Sequence, residues 1–227
     1  TSDDASDNLY AEGIPKEKVH MLGNLMIDSL VSHLDQAATK VLNISGLNGE
    51  TLDLSWKKSD THYGVMTFHR PSNVDDADSL RELVEQWLKT SELLPLIFPI
   101  HPRTQAMLEQ FGLMVDMKNA AHIHMTGPLA YLDFIKLVSE SSLVITDSGG
   151  IQEETTYLNI PCLTVRPTTE RPITIWEGSN VLIKASEIFA KAKESLEKTK
   201  SIHSIPKYWE GKSAGRIVRL LEHYSAE

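Results

Sequence analysis

The chain has 227 residues, long for one minimal α/β domain and short for two full ones, and it is 41% hydrophobic and 23% charged, which provides material for a core and excludes disordered and fibrous classes. Lys and Arg number 22 against 31 Asp and Glu, a formal charge of −9, and the basic residues form no run that could track a phosphate backbone, so no nucleic-acid partner is expected. No stretch approaches the ~18 uninterrupted apolar residues of a membrane span, the segment Thr1 to Asp7 is acidic and polar where a secretory leader would be basic and then apolar, and the lone Cys162 cannot make an internal disulfide, so no membrane association and a cytoplasmic location are expected.

In chain order, Asp7 to Gly13 has the look of a helix end with a glycine stop, followed by Pro15 as a breaker. Val19 to Leu22 reads as a short strand closed by Gly23, and Leu25 to Leu34, apolar at Leu25, Ile27, Leu30, Val31 and Leu34, as a helix. A polar stretch, Asn43 to Asp60, precedes the main pattern. From about residue 62 six short apolar runs follow: Tyr63 to Phe68, Leu96 to Phe98, Ile123 to Met125, Leu143 to Thr146, Cys162 to Val165 and Val181 to Ile183. Nearly continuous apolar character bounded by Gly, Pro, Asp or Asn is how strands buried on both faces of a parallel sheet read. Helix-period segments lie between them, such as Leu80, Leu83, Val84, Trp87, Leu88 and Phe134, Ile135, Leu137, Val138. Alternation of this kind implies βαβ crossovers and an α/β fold, a Rossmann-like doubly wound parallel sheet with helices on both faces. A last helix, Ala214 to Leu221, follows a loop containing Pro206, Tyr208, Trp209 and Gly211.

The most informative segment is Leu143 to Glu154. A buried strand ends at Asp147, Ser148-Gly149-Gly150 turns, and a helix opens near Ile151. Bare glycine backbone at a helix amino terminus suits an anion, because unpaired N–H groups and the positive end of the dipole converge there. The competing explanation is a plain strand-to-helix turn, although a capping box fails because position 151 is Ile. Glu153 and Glu154 lie ~100° apart on the helix, so only one easily faces a cleft; either could hold ribose hydroxyls or simply favour the first helical turn.

Two further loops follow strands. In Thr67-Phe68-His69-Arg70-Pro71-Ser72-Asn73 the proline keeps Arg70 out of a helix, leaving His69 and Arg70 at a strand end that suits a charged substrate or plain solvation. In Val165 to Pro172, Arg171 offers a guanidinium for phosphate or an ordinary surface charge. Weaker signals carry less. Gly211-Lys212-Ser213 lacks the upstream glycine and strand of a P-loop; His101, His122 and His124 lack zinc-site spacing; Cys162 reads as a small core residue.

Taken together, His69-Arg70-Pro71-Ser72-Asn73, Pro99-Ile100-His101-Pro102-Arg103, Gly127-Pro128-Leu129-x-Tyr131-Leu132-x-Phe134, Asp147 to Glu154, Thr169-Glu170-Arg171-Pro172 and the early Gly23-Asn24-x-x-Ile27-Asp28 resemble the non-hydrolysing UDP-N-acetylglucosamine 2-epimerases over essentially the whole chain. The resemblance implies the second of two Rossmann-like domains in a glycosyltransferase-B arrangement. It further implies that Ser148, Gly149 and Gly150 bind the diphosphate, that Glu154 takes the ribose, that Arg171 and His69 approach phosphates or sugar, with His69 catalytic, and that Leu129 and Phe134 lie near the uracil. The implied activity interconverts UDP-N-acetylglucosamine and UDP-N-acetylmannosamine without a cofactor or metal, by elimination of UDP to a 2-acetamidoglucal and its re-addition. The expected substrate is a UDP-N-acetylhexosamine and the expected assembly a homodimer when intact. The acids and lysine of that family's first domain have no counterpart here. Residues 1–23 are therefore expected to be a remnant of that domain, residues 24–206 the UDP-binding domain, and residues 207–227 a loop and helix that would pack on the first domain. A UDP-sugar glycosyltransferase of the same architecture and a noncatalytic nucleotide-sugar-binding fragment are the alternatives.

Overall fold

A computed structural model describes residues 1–47, 49, 51, 52, 62–198 and 204–225. Its centre is a sheet of six parallel strands: β1 (Gly64–Thr67), β2 (Leu96–Pro99), β3 (Ile123–Thr126), β4 (Leu143–Thr146), β5 (Cys162–Val165) and β6 (Asn180–Ile183). The spatial order is β3-β2-β1-β4-β5-β6, and Gly64 pairs with both Leu96 and Leu143, which places β1 beside β2 and β4. All six expected strands form, each within a residue or two of its apolar run. The order is that of a doubly wound Rossmann-like sheet, as expected from the alternation of strand and helix patterns.

Side chains of successive strand residues enter opposite layers. Met66, Phe68, Leu96, Phe98, Leu143, Ile145 and Leu163 pack in one layer with α4 (Ala77–Ser91), α5 (Pro102–Gln110), α6 (Met114–Asn119) and α10 (Ile188–Glu197). Tyr63, Val65, Ile97, Val144 and Cys162 face the other layer, covered by α7 (Tyr131–Ser139), α8 (Gly149–Leu158) and, outside them, α2 (Leu25–Thr39). Burial on both faces is why the runs of the central strands β1, β2, β4 and β5 are nearly continuously apolar, whereas the edge strands β3 and β6 are partly open. Cys162, 1% exposed within β5, is the core residue its sequence context suggested.

In the first layer Trp87 is fully buried, with its ring centroid 4.8 Å from that of Phe68 and 5.3 Å from that of Phe98. We expect Trp87→Ala to lower unfolding stability by about 3–5 kcal/mol, read from urea melts. A loss below about 1 kcal/mol would show that this layer collapses around the gap.

The amino-terminal segment departs from expectation in one place. Helix α1 (Asp3–Ala11) ends with Gly13 at φ +86 and the amide of Ile14 returning to the Leu9 carbonyl, as the glycine stop predicted. Val19 to Leu22, however, belongs to no described strand. It runs beside the last helix, α11 (Ser213–Ser225), where Arg216 Nη1 donates to the Leu22 carbonyl at 3.3 Å and His20 Nε2 lies 3.0 Å from the Tyr224 hydroxyl. Its apolar residues are half-buried there with no ladder partner among the described residues, which periodicity alone does not distinguish from a strand.

Asp28 on α2 holds the start of α11, accepting from the amides of Ser213 at 3.0 Å and Ala214 at 2.7 Å. Trp209 Nε1 donates to the Thr1 carbonyl at 2.9 Å, so both chain ends gather against α2. Gly23, at φ +100, sits so close to the Tyr208 carbonyl and the Ser213 hydroxyl that a side chain would collide with them. Most of the polar stretch Asn43 to Asp60 lies outside the described residues; within it Ser45 bridges Thr51, and Gly46 bridges Thr126 on β3. Among the described residues no helix is long and apolar enough to cross a membrane.

Candidate nucleotide site

After β1 the chain builds β2 and β3 on one side and then returns to lay β4 on the other. The adjacent carboxyl ends of β1 and β4 therefore splay apart, and this switch point is where open α/β sheets take their ligands. Thr67 and Thr146 join those ends through a 2.7 Å hydroxyl contact, and Thr146 also accepts the Ser148 amide at 3.0 Å. Above them opens a cleft of about 210 Å³. Its walls include His69, His101, Leu129, Phe134, Ser148 and Ile151, so four of the residues singled out from sequence meet in one cavity.

Helix α8 opens at Gly149 rather than near Ile151, two residues earlier than expected. Glycines weaken the local helix signal although their backbone is helical here. Ser148 is the residue before the first turn and its side chain caps nothing, so no side-chain cap bond occupies the amides that open α8. Among the described residues, a Cβ on Gly149 would meet only the Arg171 guanidinium, 4.0 Å away, and one on Gly150 only the Met26 side chain, at 3.6 Å. Open glycine backbone, amides without a side-chain cap and a guanidinium thus converge at one helix terminus, the arrangement that attracts an anion.

Arg171 is held there by the chain that follows β5. Thr169 donates its hydroxyl to Gln152 Oε1 at 2.7 Å and accepts the Arg171 amide at 3.0 Å, while Gln152 Nε2 donates to the Ser148 carbonyl at 3.1 Å. Buried Gln152 therefore ties the arginine loop to the glycine turn. Arg171 Nε lies 2.9 Å from Glu153 Oε1, and the side chain keeps about a third of its surface exposed. That N–H does not point along the contact, so the pair is a charge contact rather than a directed hydrogen bond.

The two glutamates separate as the helical offset required. Glu153 turns to Arg171, and Glu154 turns to α7, where the Tyr131 hydroxyl donates to Glu154 Oε1 at 3.2 Å. Both are buried, at 4% and 5% exposure. Burial raises the Glu154 carboxyl to about 7; the Tyr131 bond opposes the rise and the Glu153 charge adds to it. Burial likewise raises Glu153, against the counter-pull of Arg171. Neither Glu154 nor Arg171 lines the 210 Å³ cleft itself. They flank the first turns of α8.

Asp147, which sequence reasoning treated only as a strand end, is the hub beneath the site. It is fully buried and its Oδ2 accepts the Arg70 amide at 2.9 Å and Asn73 Nδ2 at 3.1 Å. The His69 amide approaches both carboxylate oxygens, at 3.2 and 3.1 Å, and His69 Nδ1 lies 3.0 Å from Oδ1. Burial would raise this carboxyl, but those donors, the His69 side chain foremost, hold it below its ordinary value. Arg70, the other candidate of that loop, donates through Nε to the Asp147 carbonyl at 2.8 Å and reaches Glu170 at 3.4 Å. A buried Asp directly before the glycine turn, with an Asn and His elsewhere at a strand end, was the signal available. Its partners are 74 to 78 residues away, so only the sheet pairs them. His101, weighed only as a metal ligand, instead caps α5, its Nδ1 accepting the Arg103 amide at 3.1 Å.

Fold and cleft together define a Rossmann-like α/β domain with a site at its switch point suited to a phosphorylated ligand. The family model for UDP-N-acetylglucosamine 2-epimerase matches residues 1–222, and the chain belongs to that family. It is 36% identical over 222 residues to the UDP-N-acetylglucosamine 2-epimerase of Methanocaldococcus jannaschii, covering 96% of this chain and 58% of that protein. It is 37% identical over 180 residues to the enzyme of that name from Methanococcus maripaludis, covering 78% of this chain and 47% of that protein. The crystal structure of the M. jannaschii UDP-GlcNAc 2-epimerase in complex with UDP-GlcNAc and UDP superposes with a TM-score of 0.83 at 34% identity, over 98% of this chain and 59% of that one. The chain thus spans about half the length of these relatives.

Proposed function

We propose that this chain supplies the UDP-binding half of an enzyme that interconverts UDP-N-acetylglucosamine and UDP-N-acetylmannosamine by inverting C2. The observation that carries the reading is the α8 terminus: the amides of Gly149 and Gly150, which no side chain caps, the Ser148 side chain at the cleft wall, open glycine faces, and Arg171 beside them. The diphosphate lies on those amides. Leu129 and Phe134 provide an apolar wall for the uracil, and Glu154 exchanges its Tyr131 bond for ribose hydroxyls.

The C2 proton of the sugar is not acidic, so elimination of UDP precedes inversion. As the C1–O bond breaks, negative charge grows on the departing diphosphate, and preorganised amides with a guanidinium stabilise that charge more than the ground state. UDP then adds back to the 2-acetamidoglucal, with protonation of C2 from the opposite face. His69, at the cleft wall, acts on the sugar side of the reaction. The acid and base for C2 belong to a first domain facing this one across the cleft. In this reading residues 1–23 are a remnant of that domain, residues 24–206 form the UDP-binding unit, residues 207–227 are a loop and helix that pack on the first domain, and the enzyme works in the cytoplasm, where charged nucleotide sugars are accessible.

Calorimetry tests the reading directly. The folded chain should bind UDP with one site and should not epimerise UDP-N-acetylglucosamine by itself. A folded sample that takes up no UDP would overturn the nucleotide site, and turnover by the chain alone would overturn the division of labour.

A further inference from the structure

Two imidazoles stand at the cleft wall, His69 and His101, with ring centroids 5.5 Å apart. Each has Nδ1 engaged, but with opposite polarity. His101 Nδ1 lies 3.1 Å from the Arg103 backbone amide, a group that only donates, so the neutral ring carries its proton on Nε2. His69 Nδ1 lies 3.0 Å from Asp147 Oδ1, and an ionised carboxylate only accepts, so there the proton must sit on Nδ1. Asp147 is 0% exposed and is surrounded by donors: the amides of His69 and Arg70 and the Asn73 side-chain amide, which is anchored in turn on the Val165 carbonyl at 3.2 Å. That donor shell keeps the carboxyl ionised and fixes its position relative to the ring. His69 keeps 41% of its side-chain surface open and lines the cleft, and its Nε2 makes no hydrogen bond among the described residues.

We propose that Asp147 is a positioning residue that locks neutral His69 in the Nδ1–H tautomer, so that its bare Nε2 accepts a hydrogen bond from a hydroxyl or amide N–H of the bound UDP-sugar while His101 offers an N–H from the same wall. The role assigned to the substrate rests on the function proposed above; the tautomer assignment does not.

The test has two arms. Long-range nitrogen–proton NMR on this chain, with the ring signals assigned through a His69→Gln variant, should find neutral His69 protonated at Nδ1 and neutral His101 protonated at Nε2. Wild-type His69 protonated at Nε2 would overturn the proposal, and this measurement needs no folded variant of Asp147. In Asp147→Asn the amide oxygen keeps the backbone donors and its NH₂ faces the ring, which should drive His69 to the Nε2–H form. In the intact protein this variant should lower kcat on the order of 100-fold with KM for the UDP-sugar changed less than about threefold, the signature of a wrongly presented tautomer. A folded Asp147→Asn with unchanged tautomer and unchanged kcat would overturn it as well. An intact wild-type protein with no epimerase activity but the expected tautomers would sink the proposed reaction and leave the positioning role of Asp147 standing.

Discussion

Glu154→Gln should make the chain more stable and a poorer UDP binder at the same time. In the folded protein burial raises the Glu154 carboxyl from 4.5 to about 7. Above pH 4.5 the unfolded chain gives up this proton while the folded chain keeps it until about pH 7, so the folded state binds more protons across that window. Stability therefore falls as pH rises from about 4.5 to about 7 and stays lower above it, by about 3 kcal/mol for a shift of this size. Gln is neutral in both states and its carbonyl can still accept from Tyr131, so the variant escapes that loss. Urea unfolding should find it about 3 kcal/mol more stable at pH 8 and close to wild type below pH 5. Equal stability at pH 8 would mean that Glu154 is not held near neutrality. In calorimetry at pH 8 the same substitution should weaken UDP binding by about 1–3 kcal/mol through loss of charge-assisted bonds to ribose. Unchanged affinity would assign the ribose to Glu153 or leave Glu154 as no more than favourable charge near the start of the helix.

Gly149→Asp is expected to separate folding from binding most sharply. The position has helical backbone at the start of α8, and among the described residues only the Arg171 guanidinium stands within 4.0 Å of a new Cβ, so the first atom of an aspartate side chain meets no clash. A carboxylate in the first turn also complements the helix dipole, a gain of about 0.3–1 kcal/mol. Melting should therefore be unchanged or slightly raised. The new charge, however, occupies the ground proposed for the diphosphate and draws Arg171 onto itself. Like charges brought together cost several kcal/mol, so UDP affinity should drop by about 100-fold or more. Gly149→Asn, of the same shape without the charge, should lose less. Wild-type affinity in the aspartate variant would place the diphosphate away from this turn.

Both variants probe residues that stood out before any coordinates, and the reasons are local. Gly149 and Gly150 declare themselves because two glycines after a buried strand and before a helix need only neighbouring backbone to make an anion site. The central strands were legible for the same kind of reason, since a strand buried on both faces must be apolar at every position, as Leu143, Val144 and Ile145 are. Val19 to Leu22 shows where such reasoning stops: an apolar run that lies half-buried beside α11 has the same pattern along the chain as a strand. Ile151 as a helix start failed because glycine has poor helix propensity, while the fold extends α8 to include both glycines.

Composition and periodicity by themselves determined the α/β class, the six strands and the glycine turn, because each depends on residues within one element and its immediate flanks. Only the tertiary structure decided what surrounds the turn. It turned Glu153 to Arg171 and Glu154 to Tyr131, tied the arginine loop to α8 through Gln152 and Thr169, and placed Asp147 beneath His69. Those partners lie 17 to 78 residues apart in the chain and meet through the packing of parallel strands and the helices that follow them. A residue's hydrogen-bond partner is set by that three-dimensional approach, and the pattern of residue types along the chain records only that a partner is needed.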